Sequence, residues 1–281
     1  MKQGILLYAH NSREVDYVKI ATLAGSLASK NLQKNVSIIT DSASLEYAKT
    51  QSYYNTFENV FEHVVLTDIE YDKNFRNLAD GPDSKKVPFI NHNRPNVYDL
   101  TPYDQTLLID ADFLIFTDQL NKYFDIGSEL ILCDSVYDIG NRLKYEDNYI
   151  SQTGPKMYWA TCILFSKTEY TKTFFELSKY IQENYSHFAN IYNYNPNMYR
   201  NDVCISIAKH ILDDFQNNDS GCFDNLFLTI DKDVLLKKEQ DNLVFILSYP
   251  TDNYVACTLN EVDIHIMNKQ SILRNFDNLI Q

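Results

Sequence analysis

Two short apolar runs bracket an amphipathic stretch at the start of the chain, and their spacing limits the fold more than any other feature. Residues 4–9, GILLYA, read as a buried strand, and HNSREVD after them reads as a loop. Tyr17, Ile20, Ala21, Ala24, Leu27 and Ala28 then recur at helical spacing, and VSIIT at 36–40 forms a second buried strand ending in Asp41. Strand, crossover helix and strand in so short a span make a βαβ unit, whose strands are parallel. Right-handed crossover puts the loop after the first strand and the end of the second on one sheet edge. Ligands of such sheets bind beyond the carboxyl ends of the strands.

The pattern continues with a helix expected over 45–62 and a strand over 63–67, HVVLT. Residues 68–104 interrupt it. They hold four of the seven prolines and a basic cluster of Lys73, Arg76, Lys85, Lys86 and Arg94, with no long periodicity. A long loop without structure of its own is often functional. Its basic residues either face a phosphate or offset the nearby Asp72, Asp80 and Asp83. Apolar runs return at 105–118, QTLLIDADFLIFTD, at 130–133, LILC, and at 159–165, WATCILF. Ser166 and Glu169 suggest a capping box ahead of a helix faced by Tyr170, Phe174, Leu177 and Ile181. A loop over 186–200, a helix over 201–215 and a β-rich tail over 226–267 complete the order. The expectation is one α/β domain over 1–281, with a mixed, mostly parallel central sheet flanked by helices.

Charge narrows the partners. Lys and Arg number 25 against 38 Asp and Glu, a net −13, so nothing draws the whole chain to nucleic acid or an anionic membrane. Five widely spaced cysteines without a CxxC read as reduced buried thiols. The first apolar run is too short for a signal peptide, and none reaches the length of a membrane span. A reducing cytoplasm is the expected compartment.

The residues suited to chemistry are few. Asp110-Ala111-Asp112 lies between two apolar runs, LLI and FLIF. Carboxylates two residues apart share a face of a regular strand. Buried together they repel unless a cation compensates, and hard oxygen ligands suit Mg²⁺ or Mn²⁺. The alternative is a solvated turn. In VDIHIM, Asp263 and His265 share one face, and imidazole is also an ordinary ligand for Mn²⁺. His10, Asn11, Asp16 and Tyr17 follow the first strand at the natural nucleotide edge, where Asp41 is either a cap or a partner for base or ribose. No GxGxxG follows that strand and no P-loop occurs, so a nucleotide would be held by side chains and a metal. The lone Trp159 reads either as a core aromatic or as a stacking surface for a sugar or base.

Together these motifs resemble GT-A glycosyltransferases, most closely the glycogenin-like family-8 type. The matching features are Ala9 to Asn11, Asp16-Tyr17 and Ser26-Leu27, then YDQTLLIDADFLIF, WATCILFSK, Arg200-Asn201-Asp202 and VDIHIMNK, in order through most of 4–269. The resemblance implies a Rossmann-like GT-A domain. It also implies a metal held by Asp110, Asp112 and His265, with the C-terminal 226–281 part completing that site. A nucleoside-diphosphate sugar, UDP-sugar foremost, would lie against Ala9, His10, Asn11, Asp16, Tyr17, Asp41, Ile109, Asp110, Ala111 and Lys269, with Lys86 and Arg94 from the long loop at the phosphates. Asp134 and Asp202 are the candidate catalytic carboxylates. The family's glycine after the histidine, its later proline-tryptophan pair and its glutamine in the 200–202 motif are missing, so retention and inversion both stay open. The chain is also similar to phage-encoded glycosyltransferase-like proteins, which adds a modified DNA base to saccharide and protein as possible acceptors. A nucleotidyltransferase and an inactive nucleotide-sugar-binding protein of the same fold are the rival readings.

Overall fold

The computed structural model describes residues 1–67, 94–143, 148–152, 154–216, 222–224, 226–260 and 262–280, with the backbone of 75–79 and 84–88. The opening unit is β1 (Gln3–Tyr8), α1 (Tyr17–Leu32) and β2 (Asn35–Thr40). Asp16 caps α1, its Oδ1 accepting from Lys19 N at 3.0 Å. The helix expected over 45–62 is two, α2 (Ser42–Lys49) and α3 (Tyr54–Val60), followed by β3 (Phe61–Leu66). The break lets Tyr53 turn inward, where its hydroxyl donates to Asp16 Oδ2 at 2.9 Å.

The segment read as a structureless loop carries an antiparallel hairpin, β4 (Phe75–Ala79) and β5 (Ser84–Pro88), and then α4 (Val97–Leu100). Next come β6 (Gln105–Asp110), β7 (Phe113–Leu114), α5 (Asn121–Asp125), β8 (Leu130–Cys133), β9 (Val136–Asp138) and β10 (Trp159–Ser166). Helix α6 (Glu169–Glu183) is capped by Thr168 and Thr171, not by Ser166 and Glu169, because β10 runs through Ser166. The expected 186–200 loop holds α7 (Tyr185–Ile191), and α8 (Asn201–Leu212) ends earlier than its pattern suggested. The tail contains β11 (Leu226–Leu228), β12 (Val234–Glu239), β13 (Asn242–Tyr249), β14 (Asn253–Asn260) and β15 (Ile264–His265), then α9 (Lys269–Arg274) and α10 (Phe276–Leu279).

The central sheet has the order β3-β2-β1-β6-β10-β8. Strand β10 pairs antiparallel with both neighbours, and the β1, β2, β3 and β6 pairings are parallel. The fold is therefore α/β with a mixed, mostly parallel sheet. Period-two alternation divides its side chains between two cores. Ile5, Leu7, Ile38, Leu107, Ile109 and Leu164 pack with α1, and Leu6, Tyr8, Ile39, Leu108, Ile163 and Phe165 pack with α6 and α8. Burying each large apolar side chain stabilises by about 1.5–3 kcal/mol. Gly4 is needed at the start of β1, since a Cβ there would meet the Tyr103 ring at 2.3 Å.

This topology gathers the chemistry on one edge. The ends of β3, β2, β1, β6 and β8 and the start of β10 all meet there, so Thr67, Asp41, His10, Asp110, Ala160 and Asp134 form a row. At roughly 4.8 Å per strand, the β3 end lies about 14 Å from Asp110.

Candidate metal centre

Asp110 closes β6, and after a two-residue turn the chain enters β7. Strand β15 pairs antiparallel with β7, His265 opposite Phe113, and Ile266 N donates to Asp112 O at 2.9 Å. This ladder brings His265 to Asp112 from far along the sequence. Asp263 secures it, accepting from Phe116 N at 2.8 Å, Thr117 N at 2.9 Å and Thr117 Oγ1 at 3.0 Å. Burial raises the Asp263 pKa to about 6 against those hydrogen bonds.

Ligand atoms of Asp110, Asp112 and His265 all lie within 4.8 Å of one another. Bonds of roughly 2.1–2.4 Å to one ion need ligands no more than about 4.2–4.8 Å apart, so this oxygen and nitrogen set fits a divalent cation. The cluster already contains positive charge. Lys269 Nζ is 2.6 Å from Asp112 Oδ2, and His265 Nε2 is 3.0 Å from Asp112 Oδ1. The buried Arg94 guanidinium donates to Asp110 Oδ1 and, through its other terminal nitrogen, to Ala160 O. Thr161 Oγ1 lies 3.3 Å from His265 Nδ1.

These pairings set the protonation states. Burial would raise the Asp112 pKa, but His265 and Lys269 outweigh it and hold the carboxyl well below its usual range. Burial would lower His265 and Lys269, and Asp112 outweighs it in both, so both are raised. Lys269 opens α9, whose cap is Asn268, with Oδ1 accepting from Ser271 N at 3.0 Å.

The nucleotide edge has a different character. Ala9 N donates to Ile39 O at 3.0 Å, continuing the sheet. His10 is 3% exposed, and its Nε2 is 3.3 Å from Thr67 Oγ1. Burial pushes its pKa down to about 4, with Asp41 opposing. Asn11 Oδ1 accepts from Val18 N at 2.9 Å, which leaves its Nδ2 as a donor. Among the described residues, His10 Nδ1, Asn11 Nδ2 and Thr40 Oγ1 are buried without a hydrogen-bond partner. Asp41 caps α2, accepting from Ser44 N at 2.7 Å and Ser44 Oγ at 2.9 Å. Asp16 is committed to its cap and to Tyr53. Tyr17 packs half-buried against the core, and Ile109 and Ala111 are buried on either side of Asp110.

Beyond the cluster, Asp134 accepts from Ser135 Oγ at 3.0 Å and pairs with Lys156 at 3.4 Å. Asp202 Oδ1 accepts from Ala160 N at 2.7 Å, and Arg200 donates twice to its Oδ2, at 3.0 and 2.8 Å. Burial would raise the Asp202 pKa, but Arg200 and the Ala160 N–H outweigh it and hold it low. The same guanidinium stands 5.5 Å from the centre of the Trp159 ring. The Lys86 side chain and Lys73 lie outside the described residues. Arg94 is a fixed part of the cluster and not an exposed loop cation.

The sequence reading missed Arg200 as the partner of Asp202, and it missed Thr40, Thr67, Thr161 and Asp263. Only Arg200 carried a local signal, a cation two residues before a carboxylate at a helix start.

No family model and no curated protein matches the chain. Among solved structures, the galactosyltransferase LgtC, in complex with donor and acceptor sugar analogues, is similar over 80% of this chain and 75% of its own, with TM-score 0.45 and 14% identity. Mouse xyloside xylosyltransferase 1 is similar over 75% of this chain and 83% of its own, with TM-score 0.45 and 13% identity. GlyE, a glycosyltransferase of Streptococcus pneumoniae, is similar over 80% of this chain and 45% of its own, with TM-score 0.43 and 12% identity. These likenesses concern the course of the chain, so the chemistry has to come from its own side chains. Among the described residues, no helix is long and apolar enough to cross a membrane.

Proposed function

We propose that the chain, acting as one catalytic domain, transfers a glycosyl group from a nucleoside-diphosphate sugar in a reaction that depends on Mn²⁺ or Mg²⁺. A UDP-sugar is the first choice of donor. The observation that carries this reading is the convergence of Asp110, Asp112 and His265 on the carboxyl edge of the sheet, with a lysine at hand. A divalent ion held there supplies Lewis-acid neutralisation of the charge that builds on the leaving diphosphate.

The chain's own residues divide the remaining work. Lys269 adds positive charge at the phosphates, and Lys86 belongs to the same role. Arg94 fixes the Asp110 carboxylate through its planar fork. Ala9, His10, Asn11, Tyr17, Asp41, Ile109 and Ala111 line the nucleoside, and Asp16 holds the loop that carries them. Toward β10 and β8, Asp202 and Asp134 face the sugar side. Asp202 has its charge held by Arg200, which suits it to orient groups and not to take a proton.

Incubation with Mn²⁺ and a panel of nucleotide sugars, followed by assay of free nucleoside diphosphate, tests this without a known acceptor. Release from one donor, abolished by chelator, supports it. No release from any donor, together with no nucleoside-diphosphate binding, contradicts it.

A further inference from the structure

Asp110 is paired with Arg94, and Asp112 with Lys269. As a metal ligand the imidazole is neutral, having released its proton, so two carboxylates then face two side-chain cations. A divalent ion added alone leaves a surplus of two positive charges in a buried site, which is costly. The diphosphate of a nucleotide sugar carries two negative charges. Ion and diphosphate together therefore restore the balance that either one alone upsets.

The geometry separates the roles of the two cations. Arg94 is 5% exposed and is anchored at two points, Asp110 Oδ1 and Ala160 O. Lys269 is a point charge on a flexible stem, and its ammonium sits on Asp112 Oδ2 at 2.6 Å. His265 Nε2 takes the other Asp112 oxygen at 3.0 Å. An ion using both Asp112 and His265 must enter between groups that now hold each other. Of the two side-chain cations, Lys269 is the one free to move aside.

We propose that Lys269 is a placeholder counter-ion, which occupies Asp112 in the empty site and yields it to the divalent ion only when a diphosphate arrives to take the ammonium. Metal and nucleotide then load as a pair. This rests on the metal-site reading above. It goes beyond that reading by assigning Lys269 two successive partners and by fixing the coupling between two ligands.

The test is Mn²⁺ titration of the full chain, followed by the electron-paramagnetic-resonance signal of free Mn²⁺, with and without UDP. The wild type should bind Mn²⁺ alone weakly and at least about tenfold more tightly with UDP, a coupling of about 1.4 kcal/mol. Lys269→Met should bind Mn²⁺ alone at least tenfold more tightly than the wild type and lose most of the gain from UDP. Lys269→Arg, which keeps the charge and grips a carboxylate with a fork, covers the case in which the methionine variant does not fold. It should bind Mn²⁺ alone more weakly than the wild type. Mn²⁺ affinity unchanged in these variants, with UDP coupling retained, overturns the placeholder role and leaves the metal site standing. No Mn²⁺ binding by any of the proteins, even with UDP, overturns both.

Discussion

The two halves of the sheet edge solve the burial of polar groups in opposite ways. At the β6–β7–β15 centre the carboxylates of Asp110 and Asp112 meet Arg94, Lys269 and His265, and Arg94 Nε is the one buried side-chain polar atom of these five residues without a partner among the described residues. At the β1–β2 edge the buried carboxylate of Asp41 is taken up by the cap of α2, and the uncharged His10 Nδ1, Asn11 Nδ2 and Thr40 Oγ1 have no partner among the described residues. An unmet buried polar group costs about 1–3 kcal/mol, so such a cluster is a place where a bound polar group or an ordered water would be held. On the proposed function, the charged half would exchange partners when donor and ion bind, and the β1–β2 half would gain partners.

The largest effect separating the two belongs to Asp112. Asp112→Asn removes the charge that offsets Lys269 and His265 in a buried setting, and should cost about 3–5 kcal/mol in denaturant unfolding. It should also abolish the extra thermal stabilisation that UDP gives with Mn²⁺ over UDP with chelator. A variant as stable as the wild type would show that the cluster is wetter than its burial implies.

The β1–β2 edge should show its effect through pH. The His10 pKa is pushed down to about 4 by burial, whereas an unfolded histidine titrates near 6.5. Between those values the unfolded chain binds a proton that the folded chain does not, so stability is lost as pH falls from about 6.5 to about 4. The advantage of the wild type over His10→Gln should therefore shrink on acidification, by an amount on the order of 3 kcal/mol at most. Urea unfolding of both proteins across that range checks it, and parallel curves would remove His10 from the comparison.

The smallest effect is the most specific. Thr40→Val replaces a buried hydroxyl without a partner by a methyl of the same shape, so stability should change by no more than about 1 kcal/mol, in either direction. If the edge holds a nucleoside, UDP affinity in the presence of Mn²⁺ should still fall several-fold. A clear stability loss with unchanged affinity would mean that Thr40 has a structural partner, such as an ordered water.

The two regions also differ in how far the sequence revealed them. The βαβ unit was legible because GILLYA, the Tyr17–Ala28 stripe and VSIIT follow regular periods over short distances. The DxD run and VDIHIM were legible as separate strands. Their meeting was expected from the family resemblance, since it depends on the pairing of β15 with β7 across the chain. The counter-ions were less visible. Arg94 read as a loop cation because nothing local shows that it folds inward onto Asp110. Helix α7 escaped because the Asn- and Tyr-rich run around it hides a short helix whose buried residues are Tyr185 and Ala189. Asp263 escaped because its three donors come from residues 116 and 117, distant in sequence.

The central claim is that the β6–β7–β15 cluster holds a divalent ion that bridges the protein to a diphosphate. Calorimetric titration of UDP into the full chain tests it most directly, with Mn²⁺ and with chelator, in the wild type and in Asp112→Asn. The account predicts binding by the wild type with Mn²⁺, at least tenfold weaker binding with chelator, and no difference between the two conditions in the variant. Equal UDP affinity with and without Mn²⁺ in the wild type would contradict it.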